Sequence, residues 1–134
     1  MDASYGEILA VLQDYFDGFY TSDVDKLKGV FHPECHLISA TGGPLLNDPM
    51  DAVYARVAGR RPPAAENRKR LDRVFSIDKS GPEAALAKVQ IAIGPKLYTD
   101  YLNFLRIDGR WQIISKIYSY VPIEVETAQS EAAE

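Results

Sequence analysis

The segment YTDYLNFLRIDGRWQIISKIY, residues 98–118, carries the side chains best suited to chemistry on a small molecule. Its two strand-like runs flank Asp108 and Gly109, a dipeptide typical of two-residue β-hairpin turns. Counting outward from that turn by strict alternation places Tyr98 and Asp100 on the more apolar face of the hairpin. A carboxylate on such a face needs hydrogen-bond partners or takes up a proton, because burying its isolated charge is costly. We therefore predict that Tyr98 and Asp100 orient the polar end of a ligand, and that Asp100 is a candidate to move a proton.

The same count pairs Asp100 with Ile117. It also pairs Tyr98 with Ser119, so Ser119 is expected beside the pocket. A structural interpretation stays open, in which Asp100 only accepts hydrogen bonds from Tyr98, Ser119 or a backbone amide at the end of the sheet, or reaches solvent. A shift of one residue in the turn would exchange the two faces of the hairpin.

The opposite face of the hairpin mixes aromatic, amide and charged side chains, which suits a surface half covered by a partner. We predict that it forms the interface of a homodimer, with contributions from Tyr101, Asn103, Lys116 and Tyr118. Lys116 has the chemistry of a catalytic amine, but this register places it on the outer face beside Tyr101. We therefore assign Lys116 to the interface or the surface.

The two histidines, His32 and His36, are four residues apart in the stretch HPECH. Pro33 prevents a continuous helix between them, and only Glu34 and Cys35 lie near enough to add ligands. Because a convincing metal site needs three or four convergent ligands, we predict no metal site. His36 begins a strand expected beside the pocket, and it is a candidate ligand contact or general base.

Two tyrosines of the first predicted helix, Tyr15 and Tyr20, are expected in the core. A buried tyrosine hydroxyl still needs a partner, so both are candidates to present a polar tip to the pocket. A basic cluster extends from the third predicted helix into the connector after it and comprises Arg56, Arg60, Arg61, Arg68, Lys69 and Arg70. We interpret this cluster as a solvated rim, with an anion site as the alternative.

The elements that must position these residues follow from apolar periodicity. Helical spacing predicts helices over 5–20, within 22–31 and over 48–59, with a short strand at 35–41 after the second helix. Alternating patterns and turn signals from residue 71 onward predict four long antiparallel strands. Helices first and strands later indicate an α+β domain, a cone-shaped curved antiparallel sheet covered by three N-terminal helices. We expect one domain over 1–122 and an acidic, flexible tail over 123–134.

Length and composition limit the classes of function. The 134 residues, net charge of −4 and single cysteine fit one ordinary globular domain without an internal disulfide. The acidic balance argues against a nucleic-acid partner, which usually requires a basic face. No apolar run approaches a membrane span, and the N-terminus lacks the pattern of a signal peptide, so we expect a cytoplasmic protein without a membrane partner.

The chain resembles the nuclear-transport-factor-2-like superfamily, and within it the branch described as putative lumazine-binding. The resemblance rests on YFDGFYTSDVDKLKGVFHPECHL, FSIDKSGPEAALAKVQI and YTDYLNFLRIDGRWQIISKIY, which with the helix at 48–59 cover the chain to about residue 121. It implies a cone fold, a homodimer through the outer face of the sheet and a hydrophobic pocket. Superfamily relatives such as ketosteroid isomerase use pocket Asp, Tyr and His without a cofactor, and we expect no cofactor here.

Three functions are consistent with this pattern. The leading hypothesis is a protein that binds a small hydrophobic or aromatic molecule in a largely apolar pocket. The first alternative is a cofactor-independent isomerase or lyase in which Asp100 or His36 moves a proton. The second is a homodimeric interaction module without chemistry. Nothing in the sequence identifies the ligand.

Overall fold

The computed structural model describes residues 3–124 and 127. In chain order the elements are α1 (Ser4–Thr21), α2 (Val24–Lys28), β1 (His36–Ser39), β2 (Leu46–Pro49), α3 (Met50–Gly59), a 3₁₀ helix (Pro63–Glu66), β3 (Arg73–Ser80), β4 (Ala84–Ile93), β5 (Lys96–Ile107) and β6 (Arg110–Pro122). This succession is the α+β arrangement that the sequence predicts. Residues 125–134 of the predicted tail, apart from Thr127, lie outside the described part of the chain.

The helices form where apolar spacing predicts them. Helix α1 buries the stripe Ile8, Leu12, Tyr15, Phe16 and Phe19. The Asp23 side chain caps α2 by accepting a hydrogen bond from the backbone N–H of Lys26, at 3.0 Å. Helix α2 ends at Lys28, earlier than expected, because Phe31 leaves the helix to form a bridge with Ile113 of β6.

The six strands form one open sheet in the order β2-β1-β6-β5-β4-β3. The four long strands β3–β6 are antiparallel, as predicted, and β1 pairs with β2 in the same way. Strand β1 runs parallel to β6, so the sheet as a whole is mixed. Strand β2 was not predicted from the sequence. Its residues Asn47 and Asp48 pair with β1, so the helix predicted over 48–59 begins only at Met50, after the extended Pro49.

The β5–β6 hairpin decides where the candidate site residues point. Asp108 and Gly109 form the predicted turn, with φ angles of 51° and 78°, and Ile107 faces Arg110 as expected. Between the Phe104–Ile113 and Asn103–Ser115 pairs, strand β6 contains one residue more than β5. The extra residue is Ile114, and it forms a β-bulge.

The bulge reverses the predicted phase of β6 beyond it. Asp100 lies opposite Tyr118 rather than Ile117, and Tyr98 lies opposite Tyr120 rather than Ser119. Lys116 faces Leu102 and shares the inner face of the sheet, which is the face covered by the helices. The predicted register of this half of the hairpin, and with it the outer position of Lys116, is therefore wrong.

The hydrophobic core lies between the helices and the inner face. It joins the buried side of α1 to inner residues such as Val89, Leu102, Phe104 and Ile113. The opposite face of β3–β6, called the outer face below, leaves Phe75, Leu86, Tyr101, Leu105 and Ile117 exposed. Within the described residues, every helix is too short or too polar to cross a bilayer.

Candidate functional site: a buried lysine–aspartate–tyrosine cluster

Three ionisable side chains meet on the inner face, under α1. Asp100 is 0% exposed and Lys116 is 4% exposed. The Lys116 Nζ atom lies 3.5 Å from Asp100 Oδ2, and the Tyr15 hydroxyl donates a hydrogen bond to the same oxygen. The other carboxylate oxygen, Oδ1, is buried and has no hydrogen-bond partner among the described residues. The cluster therefore keeps one acceptor oxygen uncommitted.

Aromatic rings surround the Lys116 amine. Its Nζ atom lies 5.0 Å from the centroid of the Phe19 ring and 5.3 Å from those of Tyr15 and Tyr118. Ring faces attract the ammonium ion, but they do not replace the hydration that burial removes. These surroundings therefore favour the neutral form of the amine more than water does.

The pKa directions express this competition. Burial lowers the pKa of Lys116 from its usual value, and the Asp100 charge opposes that effect. Burial raises the pKa of Asp100, against the opposing effects of Lys116 and the Tyr15 hydrogen bond. The pKa of Tyr15 is raised by burial and by the Asp100 charge, so Tyr15 remains a neutral donor. The pKa values of Lys116 and Asp100 approach each other, which eases proton transfer between them.

A cavity of about 370 Å³ reaches the Lys116 end of this cluster. Its wall comes from α1, β1, β2, α3, the residue after α3 and the three strands β4–β6. The lining residues are Phe19, Leu37, Leu46, Asp48, Val53, Arg56, Val57, Arg60, Ile93, Lys96, Tyr98, Lys116, Tyr118 and Tyr120. Its volume suits a small organic molecule. Asp100 and Tyr15 lie behind Lys116 rather than on the wall, so Lys116 is the member of the cluster that a ligand meets.

A second depression, of about 360 Å³, lies beside Arg68, Leu71 and Ile123. It does not border the buried cluster. The first cavity is the candidate site because the buried ionisable groups adjoin it.

The cavity wall includes some of the residues predicted from the hairpin to line a pocket and leaves out others. Tyr98 lines the cavity as expected, and its ring lies 5.8 Å from that of Tyr118 and 5.2 Å from that of Tyr120. Tyr118, predicted at a dimer interface, also lines the cavity, because the bulge turns it inward. Ser119 is turned outward, where it lies opposite Thr99. The structure therefore removes Ser119 from the predicted pocket and adds Tyr118.

The two other predicted pocket residues lie elsewhere. His36 is exposed and its Nδ1 atom is 2.6 Å from Asn47 Oδ1, because β1 directs Leu37 rather than His36 inward. Tyr20 donates its hydroxyl hydrogen bond to the backbone oxygen of Arg68, at 2.7 Å, and so anchors the basic connector. The predicted roles of His36 and Tyr20 at the pocket are not supported by these positions. Among the described residues, no three Asp, Glu, His or Cys side chains converge as metal ligands would.

Two predicted interface residues do lie on the outer face. Tyr101 is exposed, and the Asn103 side-chain amide donates a hydrogen bond to Ser115 Oγ at 2.9 Å. Cys35 is buried as predicted, and burial raises its pKa to about 12. A thiol of that kind is a packing group rather than a nucleophile.

Comparison with known proteins identifies the family of the chain. A model of the family described as "Putative lumazine-binding" matches residues 3–119 of the chain. The chain belongs to the putative lumazine-binding family. The match includes all residues of the Lys116–Asp100–Tyr15 cluster.

Three proteins are similar to this chain, one curated protein and two solved structures. A curated aldolase, FrzH of a Cladobotryum species, is 24% identical over 122 residues, which cover 90% of this chain and 94% of the aldolase. A solved NTF2-like protein from Shewanella baltica OS155 has a TM-score of 0.80 at 24% identity, covering 89% of this chain and 94% of that one. A ketosteroid isomerase-like protein from Erwinia carotovora atroseptica SCRI1043 has a TM-score of 0.69 at 13% identity, covering 90% of this chain and 98% of that one. The solved structures confirm the nuclear-transport-factor-2-like fold.

The site residues that sequence reasoning missed all depend on tertiary position. Lys116 was visible as a candidate amine, but strict alternation turned it outward. The bulge at Ile114 is a feature of the strand pairing, and strict alternation along the sequence does not include it. Arg60 carries no local signal, because only the position of α3 beside the cavity brings it to the wall. Tyr120 carries none either, because the bulge turns this part of β6 inward.

Proposed function

We propose that this protein is a cofactor-independent lyase of the aldolase type, which binds a small carbonyl compound in the cavity and uses Lys116 as its reactive amine. The observation that carries the proposal is the position of Lys116, buried among aromatic rings at the cavity wall with Asp100 3.5 Å away. A desolvated lysine beside a proton acceptor is the usual requirement for imine chemistry on a carbonyl. The curated aldolase relative supports this choice over an isomerase.

The first step attaches the substrate. The Lys116 ammonium gives a proton to Asp100, and the free amine attacks the carbonyl carbon to form a carbinolamine. Asp100 then returns its proton to the carbinolamine oxygen, which leaves as water, and a protonated imine remains. A cation lies beside the Asp100 carboxylate both before this step, as the Lys116 ammonium, and after it, as the protonated imine. Tyr15 holds the carboxylate in place throughout by its hydrogen bond.

The second step breaks the carbon–carbon bond of a β-hydroxy carbonyl substrate. The hydroxyl proton passes to water in the cavity, the carbon–carbon bond breaks, and an aldehyde leaves. The bonding electrons move into the imine and form an enamine. Protonation of the enamine carbon and hydrolysis of the imine then release the second product and restore the Lys116 ammonium. The same steps in reverse join two carbonyl compounds.

Reductive trapping tests this proposal. The protein is incubated with small ketones and aldehydes, reduced with sodium borohydride, and examined by intact-mass and peptide mass spectrometry. We expect a stable adduct on Lys116. Lys116→Met should lose it, as should Lys116→Arg, which retains the positive charge but has no reactive amine.

Lys28→Met is the matched control, because Lys28 is exposed at the end of α2 and lies over the Tyr54 ring, away from the cavity. It should leave the Lys116 adduct unchanged. Equal labelling of the wild type and the correctly folded Lys116→Met variant would contradict the proposal. If a carbonyl compound binds in the cavity but forms no adduct, the lyase proposal is rejected and the simpler function, small-molecule binding, is retained.

We also propose that the protein forms a homodimer through the outer face. The support is the row of exposed apolar side chains on adjacent strands, in which Tyr101 lies opposite Ile117 and beside Lys88 of β4. A monomer rarely exposes a continuous apolar surface of this kind. A second copy of the same face would cover it by two-fold symmetry. The cavity opens on the other side of the sheet, so dimer formation leaves it accessible.

A further inference from the structure

Arg60 differs from the other basic residues that follow α3. It directly follows the last residue of the helix, and its side chain lines the cavity rather than extending into solvent. Its guanidinium carbon lies 5.9 Å from the centroid of the Phe19 ring, the same ring that lies beside the Lys116 amine. Arg60 and Lys116 are therefore on the wall of the same cavity and share an aromatic neighbour.

No carboxylate of the described residues forms an ion pair with Arg60, and its Nε atom is buried without a hydrogen-bond partner. The neighbouring arginines are paired. Arg56 lies 3.2 Å from Asp48, and Arg61 lies 3.5 Å from Glu66. Arg70 has two carboxylates, Asp17 at 2.8 Å and Asp72 at 2.7 Å. Two arginines of the cluster line the cavity, Arg56 and Arg60, and of these only Arg60 has no carboxylate partner among the described residues.

The cavity is cationic although the chain carries a net charge of −4. Four basic residues line it, Arg56, Arg60, Lys96 and Lys116, against one carboxylate, Asp48. Asp48 neutralises Arg56 and Asp100 neutralises Lys116. Arg60 and Lys96 remain without a carboxylate partner among the described residues. A half-buried guanidinium without a partner is costly, and burial together with the Arg56 charge lowers its pKa.

We infer that Arg60 binds an oxoanion of the substrate, a carboxylate or a phosphate group, while the carbonyl carbon of the same molecule lies at Lys116. The placement of the carbonyl carbon at Lys116 rests on the proposed function, whereas the binding of an anion at Arg60 does not. The planar guanidinium fork matches the two oxygens of such a group, and the anion satisfies the buried Nε–H and neutralises the cavity. The substrate is thus a small anionic carbonyl compound rather than a neutral hydrophobic one.

Binding of anions that have no carbonyl group tests Arg60 independently of imine formation. Lactate and glycerol 3-phosphate serve as probes for the carboxylate and the phosphate, and neutral glycerol serves as the uncharged control, each measured by calorimetric titration. We expect at least one anion to bind the wild type and glycerol to bind far more weakly. Arg60→Gln should weaken anion binding by tenfold or more, and Arg60→Lys should give an intermediate loss because it retains charge without the fork.

Arg61→Gln is the matched control, since Arg61 is the next residue and is already paired with Glu66 outside the cavity. It should bind the anions as the wild type does. Circular dichroism establishes that each variant is folded. The preferred anion identifies the group, carboxylate if lactate binds more tightly and phosphate if glycerol 3-phosphate does.

The outcomes separate the inference from the proposed function. Equal anion binding by the wild type and folded Arg60→Gln, or no binding of either anion to the wild type, would overturn the inference even if carbonyl compounds are trapped on Lys116. Arg60-dependent anion binding without any trapping would retain the inference and reject the lyase. With both correct, pyruvate or dihydroxyacetone phosphate should label Lys116 faster than neutral dihydroxyacetone, and Arg60→Gln should remove that advantage.

Discussion

Lys116 and Asp100 form a buried pair whose protonation should control reactivity. Only the unprotonated amine attacks a carbonyl, so the trapping rate should fall as the pH drops below the pKa of Lys116. Burial places that pKa below the usual value of 10.5. The Asp100 charge raises it and the Arg60 charge lowers it, so the midpoint reports the balance between burial and these two charges.

Asp100→Asn should move the midpoint of this pH profile to lower pH. The substitution removes the negative charge that favours the ammonium form, so Lys116 loses its proton more readily. The measurement is the initial rate of borohydride-trapped adduct at a saturating carbonyl concentration between pH 5 and 10. The trapping rate at high pH should nevertheless fall, because the variant cannot return a proton to the carbinolamine oxygen. A midpoint that stays in place or rises would show that Asp100 does not stabilise the ammonium.

A buried ion pair of this kind is weak evidence for stability. Removing two charges from water costs several kcal/mol for each ion, and their attraction offsets this only with good geometry and further hydrogen bonds. Here the pair is separated by 3.5 Å, and one carboxylate oxygen is unsatisfied. A hydrophobic pair would fill the same space more simply. The residues are therefore better explained by chemistry at the cavity wall than by the packing of the core.

At the scale of elements, Gly18 allows α1 and α2 to pack closely. A Cβ atom added there would lie 2.6 Å from Leu27 Cδ2 and 2.8 Å from its Cγ, and Leu27 is fully buried. Gly6, in the same helix, has no atom within 4 Å of an added Cβ. The two glycines thus share a helix and differ in their surroundings.

Gly18→Ala should destabilise the protein by about 1 kcal/mol, because overpacking costs about 1–3 kcal/mol and the helix propensity of alanine recovers about 1. Gly6→Ala should instead stabilise it by up to about 1 kcal/mol, because it gains the propensity without a clash. Urea unfolding of both variants measures the difference. A stabilised Gly18→Ala variant would mean that Leu27 moves aside without cost and that the helix contact is loose.

The bulge at Ile114 is the element on which the site depends. Without the extra residue, Lys116 would lie on the outer face and Tyr118 with it, as strict alternation predicts. With it, one stretch of β6 presents Lys116, Tyr118 and Tyr120 to the cavity. A single inserted residue therefore places residues that were predicted at an interface on the wall of the cavity.

At the scale of the whole molecule, the sheet separates two surfaces of different chemical character. Its inner face carries the cationic cavity, and its outer face carries exposed apolar side chains such as Ile117, which is 52% exposed. We expect a homodimer by sedimentation velocity at micromolar concentration. The cavity faces away from this interface, so trapping on Lys116 should be independent of the oligomeric state.

Ile117→Lys should weaken the homodimer at least tenfold in dissociation constant. The substitution removes an apolar contact worth about 1.5–3 kcal/mol. Because both copies carry it, the dimer loses this contact twice. Tyr101→Glu should act in the same direction. Leu9→Lys is the control, because Leu9 is a 48% exposed apolar residue on α1, away from the outer face. If Leu9→Lys dissociates the dimer and Ile117→Lys does not, the interface lies on the helices.

Much of the architecture is determined by local signals in the chain. The apolar stripe of α1, the Asp23 cap and the Asp108–Gly109 turn act over a few residues, and each produces the element that its pattern predicts. Helices first and strands later then leave few arrangements that cover one face of a sheet. For the same reason, Asp100 was recognisable in the sequence, since a carboxylate on an apolar strand face is unusual wherever that strand packs.

The site itself was decided by tertiary structure. The bulge at Ile114 has no distinctive local pattern, and it alone turns Lys116 toward Asp100. Arg60 is one of several similar arginines in the sequence, and only the packing of α3 beside the cavity leaves it half-buried and unpaired. Local periodicity determines which residues a strand or helix can bury. The strand register and the approach of distant elements determine which of those residues meet, because contacts across the fold depend on geometry that no short segment contains.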